Sequence, residues 1–173
     1  VVIGYFSNYY SAGVYRIAKK LVEPVNSLVV AFSPWMLNQI DRKNNYSFRD
    51  LTLKILIPSS ILISLAYLFF GKKLIDIIAG QEFADSYMPM LILVVGYIAY
   101  YLTFWTRHYL LLNGLILKHT KGRVVNLLVF LIASPLLIPS YGFNGIAMSI
   151  SLSIILQKLY EINAYYKNKN IKK

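Results

Sequence analysis

The 173-residue sequence contains no cysteine, and its 18 lysines and arginines far outnumber its 7 acidic residues. Without cysteine, the chain has no disulfide framework, no thiolate metal site and no thiol nucleophile. It also has no glycine-rich phosphate loop, no HExxH metal motif and no GxSxG nucleophile motif. These absences argue against an enzyme, and against a metal or an organic cofactor.

Charge of either sign is scarce as well, because only 14% of the residues are charged while 57% are hydrophobic. A soluble domain carries about a quarter charged residues. Residues 88–106 contain no charge, and residues 51–70 contain only Lys54. Uncharged apolar runs of about 18 or more residues are typical of bilayer-spanning helices, so an all-α integral membrane protein is predicted. The chain opens on VVIG, which we interpret as the end of a truncated segment in a longer protein.

We expect a single membrane domain over residues 1–173, a bundle of about five transmembrane helices. Residues 124–157 carry no charge, and one straight helix of that length would extend about 51 Å, against a hydrocarbon core of roughly 30 Å. Pro139, Gly142 and Gly145 in PSYGFNG favour a turn, so a helical hairpin is predicted there. The predicted helices cover about 13–38, 50–70, 86–112, 122–139 and 143–166, with an interfacial segment at 71–85.

The positive charges predict the orientation of these helices. Of the 18 lysines and arginines, 13 lie in or beside the loop after the first helix, the loop after the third helix, and the C-terminal tail. Short basic loops stay cytoplasmic, so the C-terminus is expected inside the cell. We interpret the net charge of +11 as a topology signal in contact with membrane lipids, and not as a nucleic acid site. His119, in one of these loops, is expected to be solvated, and Lys158 is grouped with the tail.

The first predicted helix carries charges that a lipid-facing helix would avoid. One helix face collects residues spaced i, i+3, i+4, i+7 and i+10, namely Arg16, Lys19, Lys20, Glu23 and Asn26. A charge at bilayer depth costs about 2.5–3.5 kcal/mol, so we expect this face to line a wet cavity. Alternatively, the three cations reach the outer head groups and bind nothing specific. Positive residues at an outer helix end run against the usual topology preference, which favours the cavity.

Pro24 and the pair Arg107 and His108 are further candidates for the same site. Pro24 removes a backbone donor within the helix and is expected to bend it beside the charged residues. Arg107 and His108 fall at the inner end of the third predicted helix. They are either a snorkelling arginine with an interfacial histidine, or Arg107 faces the cavity.

Three segments share an order and spacing with one family of transporters. They are AGVYRIAKKLVEPVNSLVVAFSPWMLNQI, IIAGQEFADSYMPMLIL and LLIPSYGFNGIAMSISLSI. The first runs from a small-Gly-x-Tyr start to a proline near the inner end, and the second has a glycine and an acid before an aromatic residue. The third is a Pro-x-x-Gly-x-x-Gly turn followed by small residues. Together they resemble polysaccharide flippases of the multidrug/oligosaccharidyl-lipid/polysaccharide exporter superfamily.

This resemblance implies that the chain is the C-terminal part of a two-lobed exporter of roughly twelve helices. Such exporters flip undecaprenyl-pyrophosphate-linked oligosaccharide across the bacterial cytoplasmic membrane by alternating access, commonly coupled to Na⁺ or H⁺. The resemblance further implies that Arg16, Lys19, Lys20 and Arg107 attract the anionic cargo. It gives Glu23, with Asn26 beside it, a role as charge partner or coupling site, although no defined ion site of the family matches Glu23.

Three other functions fit parts of the pattern. A multidrug or cation antiporter of the same superfamily would favour buried acids, whereas the first helix presents three bases to one acid. A membrane-embedded glycosyl- or acyltransferase needs an acid/base pair, and the sequence provides only His108 with an acid far from it along the chain. A non-transporting membrane subunit would pair the charged face with another protein.

Overall fold

The computed structural model describes residues 9–42 and 45–171, with side chains over 10–34 and 53–168. VVIG and the last two residues of the basic tail lie outside these ranges. The described residues form helices and no strand, which confirms the all-α prediction. The helices are α1 (Tyr9–Arg42), α2 (Asn45–Ile78), α3 (Tyr87–Thr103), α4 (Trp105–Leu112) and α5 (Ile116–Ile171), with a 3₁₀ turn at Gln81–Ser86.

α5 reverses direction at Gly142, within the PSYGFNG stretch where the hairpin was predicted. Gly142 has a φ of +55° and a ψ of −129°, a conformation that favours glycine. At Gly145, a Cβ atom would come within 2.2 Å of the Leu137 carbonyl oxygen, so only glycine fits this close approach. The turn divides α5 into a first arm, 116–141, and a second arm, 143–171.

The two arms run antiparallel and touch along their length. Asn126 Nδ2 donates a hydrogen bond to Ser153 Oγ at 3.2 Å. Farther from the turn, His119 Nδ1 lies 3.0 Å from Glu161 Oε1. Residues early in α5 therefore pair with residues late in it, as a hairpin requires.

The helix bounds differ from the predicted ones most clearly in α2. This helix continues past 70 to Ile78, so the predicted interfacial segment 71–85 is divided between the end of α2 and the 3₁₀ turn. Nothing in GKKLIDII breaks a helix, and the first residue that does is Gly80, at a φ of +90°. α1 extends beyond 13–38 at both ends, and the predicted helix 86–112 divides at Phe104 into α3 and α4.

α3 is the centre of the bundle, because it contacts α1, α2 and α5. It approaches the second arm closely at Gly96, where a Cβ atom would lie 2.7 Å from Ser151 Cα. Ser151 Oγ donates a hydrogen bond to the Ile92 carbonyl at 2.7 Å across the same contact. Small residues at such crossings let helix backbones approach each other, as they do in membrane proteins.

The outer surface of α2 and of the first arm is apolar. Leu62 is 70% exposed, Phe69 73% and Leu136 68%, although each would be expected in the core of a soluble protein. Three helical stretches are long and apolar enough to cross a membrane: Leu53–Ile78, Gln81–Thr103 and Ile116–Asn168. The third contains the reversal at Gly142. The described part of α1 is not among them.

Candidate functional site

α1 has two faces of opposite character. Its buried face is apolar and includes Val14, Ala18, Leu21, Val22 and Val25. Its exposed face carries the predicted site residues Arg16, Lys19, Lys20, Glu23 and Asn26. Packing of the apolar set against the bundle turns the other set outward, because the two alternate with the helical period. The structure thus brings these five predicted residues onto one surface, which we call the charged face.

The positive charge of this face is not balanced within α1. Among the described residues, no ion pair joins Glu23 to Lys19 or Lys20. Ser27 Oγ donates a hydrogen bond to the backbone carbonyl of Glu23 at 3.3 Å, and this bond does not involve the Glu23 carboxylate. Three cations and one acid therefore leave a surplus of positive charge.

Pro24 is also exposed, beside the charged face, and α1 remains helical through it, so the predicted bend does not interrupt the helix. A proline ring disturbs the carbonyl groups of the preceding turn. In that turn the Leu21 carbonyl accepts a hydrogen bond from the Tyr67 hydroxyl of α2 at 2.7 Å. A largely apolar groove of about 450 Å³ adjoins this contact and has Lys20 and Pro24 in its lining.

A second polar group is buried between α4 and the two arms of α5, and it centres on Glu161, which is fully buried. An ionised carboxylate only accepts hydrogen bonds. Glu161 accepts them from Thr106 Oγ1 at 3.1 Å, His119 Nδ1 at 3.0 Å, Gln157 Nε2 at 3.0 Å and Lys158 Nζ at 2.7 Å. We call these five residues the Glu161 cluster.

The geometry of the Glu161 cluster is that of a satisfied buried charge. Each carboxylate oxygen has two donor groups within hydrogen-bond distance, although Thr106 shares its one proton with the Thr103 carbonyl at 2.7 Å. Lys158, itself buried, supplies the compensating positive charge. The donors come from α4, the first arm and the second arm, so one carboxylate joins three helical segments. A buried charge is tolerated when it is paired and hydrogen-bonded in this way.

The cluster corrects two predictions. His119 is not solvated but buried, because the antiparallel arms place it against Glu161. Lys158 does not belong with the basic tail, since it is 2% exposed and its Nζ lies 4.5 Å from the Tyr100 ring centroid. The sequence did contain a signal, because Glu161 is the only acid after Asp85 and falls inside the predicted helix 143–166. An ionisable residue within a predicted membrane helix indicates a partner or a function.

A cavity of about 330 Å³ opens beside this cluster. It is lined by Tyr100, Arg107, His119, Arg123, Asn126, Gln157 and Lys158, and we call it the basic cavity. Arg107 is half-buried, and its Nε is buried without a hydrogen-bond partner in the described part of the chain. None of the α1 side chains that the structure describes, residues 10–34, lines the cavity, so Arg107 is separated from the other cations predicted for the site.

His108, next to Arg107, is buried, and its Nε2 lies 2.6 Å from Ser33 Oγ of α1. Its ring also packs edge-on against Phe104. His108 therefore ties α4 to α1, while Arg107 points into the basic cavity on the α5 side.

Among the side chains that the structure describes, those of residues 10–34 and 53–168, no three histidine, aspartate or glutamate residues are grouped to hold a metal ion. Comparisons with models of known protein families, with curated proteins and with solved structures found no match to this chain.

Proposed function

We propose that this chain is part of a membrane transporter that moves an anionic, lipid-linked oligosaccharide across the bacterial cytoplasmic membrane. The observation that carries the proposal is the contrast between exposed surfaces. α1 exposes a charged face, whereas α2 and the first arm expose leucine, isoleucine and phenylalanine. In a bilayer, the apolar surfaces fit against lipid and the charged face does not.

The energetic argument concerns three cations. If Arg16, Lys19 and Lys20 all faced acyl chains near the midplane, the cost would be on the order of 8–10 kcal/mol, taking single-residue costs as additive. That cost disappears if the charged face looks into a water-filled pathway. A second group of helices, outside this chain, would form the other wall of such a pathway. The bundle would then be one lobe of an alternating-access exporter.

The sign of the charge indicates the cargo. Three bases and one acid attract anions and repel the organic cations that a multidrug antiporter would carry, and a pyrophosphate-linked sugar is anionic. Glu23 and Asn26 on the same face are the positions at which Na⁺ or H⁺ would couple to transport. The resemblance of the three segments to polysaccharide flippases points to the same cargo. The distribution of lysine and arginine supports a cytoplasmic C-terminus.

The test is export by the full-length protein carrying Arg16→Gln, Lys19→Gln and Lys20→Gln. We expect surface polysaccharide to be lost while the protein remains at normal abundance in the membrane, because exposed side chains contribute little to folding. The matched control carries Lys54→Gln, Lys73→Gln and Lys121→Gln, which remove the same charge from exposed positions on α2 and α5. This control should export normally.

Normal export by the α1 variant would refute the assignment of the charged face to the transport pathway. Loss of export together with loss of a copurifying membrane protein would instead identify the face as a subunit interface.

A further inference from the structure

The basic cavity has more positive charge than its own residues neutralise. Arg107, Arg123 and Lys158 line it, with His119 beside them. The nearby acid is Glu161, and its two oxygens are already occupied by donors from the protein. Within the part of the chain that the structure describes, neither Arg107 nor Arg123 forms an ion pair. Half-buried Arg107 and exposed Arg123 therefore line the cavity without a counter-charge among the described residues.

The burial of Arg107 makes this imbalance more significant. Its Nε is enclosed by protein and has no hydrogen-bond acceptor among the described residues. A buried donor without a partner destabilises the fold, and a charged one does so more strongly. Native structures keep such groups when a ligand, an ion or water satisfies them. Of these, an anion would also neutralise the surplus charge.

We infer that the basic cavity binds a phosphate group between Arg107 of α4 and Arg123 of the first arm. The planar guanidinium matches phosphate oxygens with two parallel donors, which a lysine cannot do. The amide side chains of Asn126 and Gln157 line the same cavity and supply neutral donors. Its volume of about 330 Å³ lies at the small end of ligand pockets, which suits a head group and not an oligosaccharide.

The phosphate has two possible sources with the same chemistry: the head group of an anionic membrane lipid, or a soluble phosphate or diphosphate. In either case it would bridge α4 and the first arm beside the Glu161 cluster. The residues of the charged face, Arg16 to Asn26, are described and do not line the cavity, so this site is separate from that face and goes beyond the transport pathway proposed above.

The experiment measures the thermal unfolding midpoint of the purified full-length protein. In detergent, the probe is sodium pyrophosphate, compared with sodium chloride at equal ionic strength. In nanodiscs, the comparison is between phosphatidylcholine alone and phosphatidylcholine mixed with phosphatidylglycerol. A ligand that bridges two helical segments should raise the midpoint by about 5 °C at saturating concentration. A response to pyrophosphate identifies a soluble source, and a response only to phosphatidylglycerol identifies a lipid source.

Variants then assign the response to the cavity. Arg107→Gln with Arg123→Gln should weaken the half-saturating concentration by about 10-fold or more, as expected when charge-assisted hydrogen bonds are lost. Lys118→Gln with Lys121→Gln removes two charges from the same arm outside the cavity, and this control should change the response less than about twofold. If the double glutamine variant does not fold, Arg107→Lys with Arg123→Lys keeps the charge, loses the planar donors and should also bind more weakly.

No response to either probe would overturn the inference. So would an equal response from the arginine variants and the Lys118/Lys121 control. The α1 variant with Arg16, Lys19 and Lys20 replaced should keep the full response, because its changes lie outside the cavity. If the α1 variant exports polysaccharide normally and still responds fully to the phosphate probe, the proposed function is refuted and the phosphate site is not.

Discussion

Replacement of Glu161 by glutamine is the substitution from which we expect the largest loss of stability. Glutamine has the shape of glutamate, so the packing around the site is preserved while the charge is removed. Two of the four donors, Thr106 and Lys158, point at one carboxylate oxygen, and the other two, His119 and Gln157, point at the other. In Glu161→Gln, one of these oxygens becomes an NH₂ group that faces donors and accepts nothing.

The size of the effect follows from Lys158. It is 2% exposed and lies 2.7 Å from the carboxylate, so removal of the carboxylate leaves an ammonium group buried without its partner. Breaking a buried ion pair from one side costs about 3–5 kcal/mol. Replacing both members by uncharged residues is often close to neutral, because no charge then remains to be desolvated. We therefore expect Lys158→Met to rescue much of the loss caused by Glu161→Gln.

The assay is unfolding of the full-length protein in mixed micelles, followed by circular dichroism, for the wild type, both single variants and the double variant. The cycle should give a coupling energy of about 2 kcal/mol or more, well above that of separated residues. Glu82→Gln is the control, because Glu82 is exposed and its bond to Tyr10 uses only its backbone carbonyl. A Glu161→Gln protein as stable as the Glu82→Gln protein would refute the view that Glu161 joins the three helical segments.

Two further predictions concern helix contacts. Gly96→Ala places a methyl group 2.7 Å from Ser151 Cα, so it should lower the free energy of unfolding by about 1–3 kcal/mol. The control, Val95→Leu, lies on the exposed side and should change the free energy of unfolding by less than about 0.5 kcal/mol. Equal stability of the two variants in the same unfolding assay would contradict the close approach. In a chain without native cysteine, a short thiol-to-thiol cross-linker should join Asn126→Cys to Ser153→Cys, because Nδ2 and Oγ of the native side chains lie 3.2 Å apart. It should not join Asn126→Cys to Leu152→Cys, because Leu152 is exposed, and mass spectrometry of proteolytic fragments detects the product. Cross-linking in both pairs, or in neither, would argue against the described register of the arms.

Much of the fold could be predicted from the sequence, because apolar length and turn chemistry are local properties. The uncharged run at 124–157 is too long for one crossing, and its glycines indicate where the chain reverses. The charged face of α1 could also be predicted locally, because helical spacing alone places its residues on one side of the helix. The end of α2 was predicted too early, because charge in GKKLIDII was taken to end the helix, whereas backbone geometry ends it at Gly80.

The Glu161 cluster was missed because its residues are far apart in the sequence. Thr106 and Glu161 are hydrogen-bonded although a loop and most of α5 separate them along the chain. Helical spacing brings only Gln157, Lys158 and Glu161 together. Because Lys158 lies near the basic C-terminal tail, its charge was interpreted as part of the topology signal. His119 was assigned to solvent for the same reason. The hairpin register that buries it depends on packing between the arms, which no local pattern encodes.

A comparison of Glu161 with Arg107 also shows why burial alone does not indicate function. Glu161 is fully buried, yet both of its carboxylate oxygens accept hydrogen bonds from within the chain and Lys158 balances its charge, so it needs no ligand. Arg107 is less buried, but its Nε lacks an acceptor in the described residues. An ionised group that the fold has already satisfied contributes to stability, and one that the fold leaves without a counter-charge favours binding. By this criterion the sites to test first are the basic cavity and the charged face of α1, where positive charge exceeds what the chain itself neutralises.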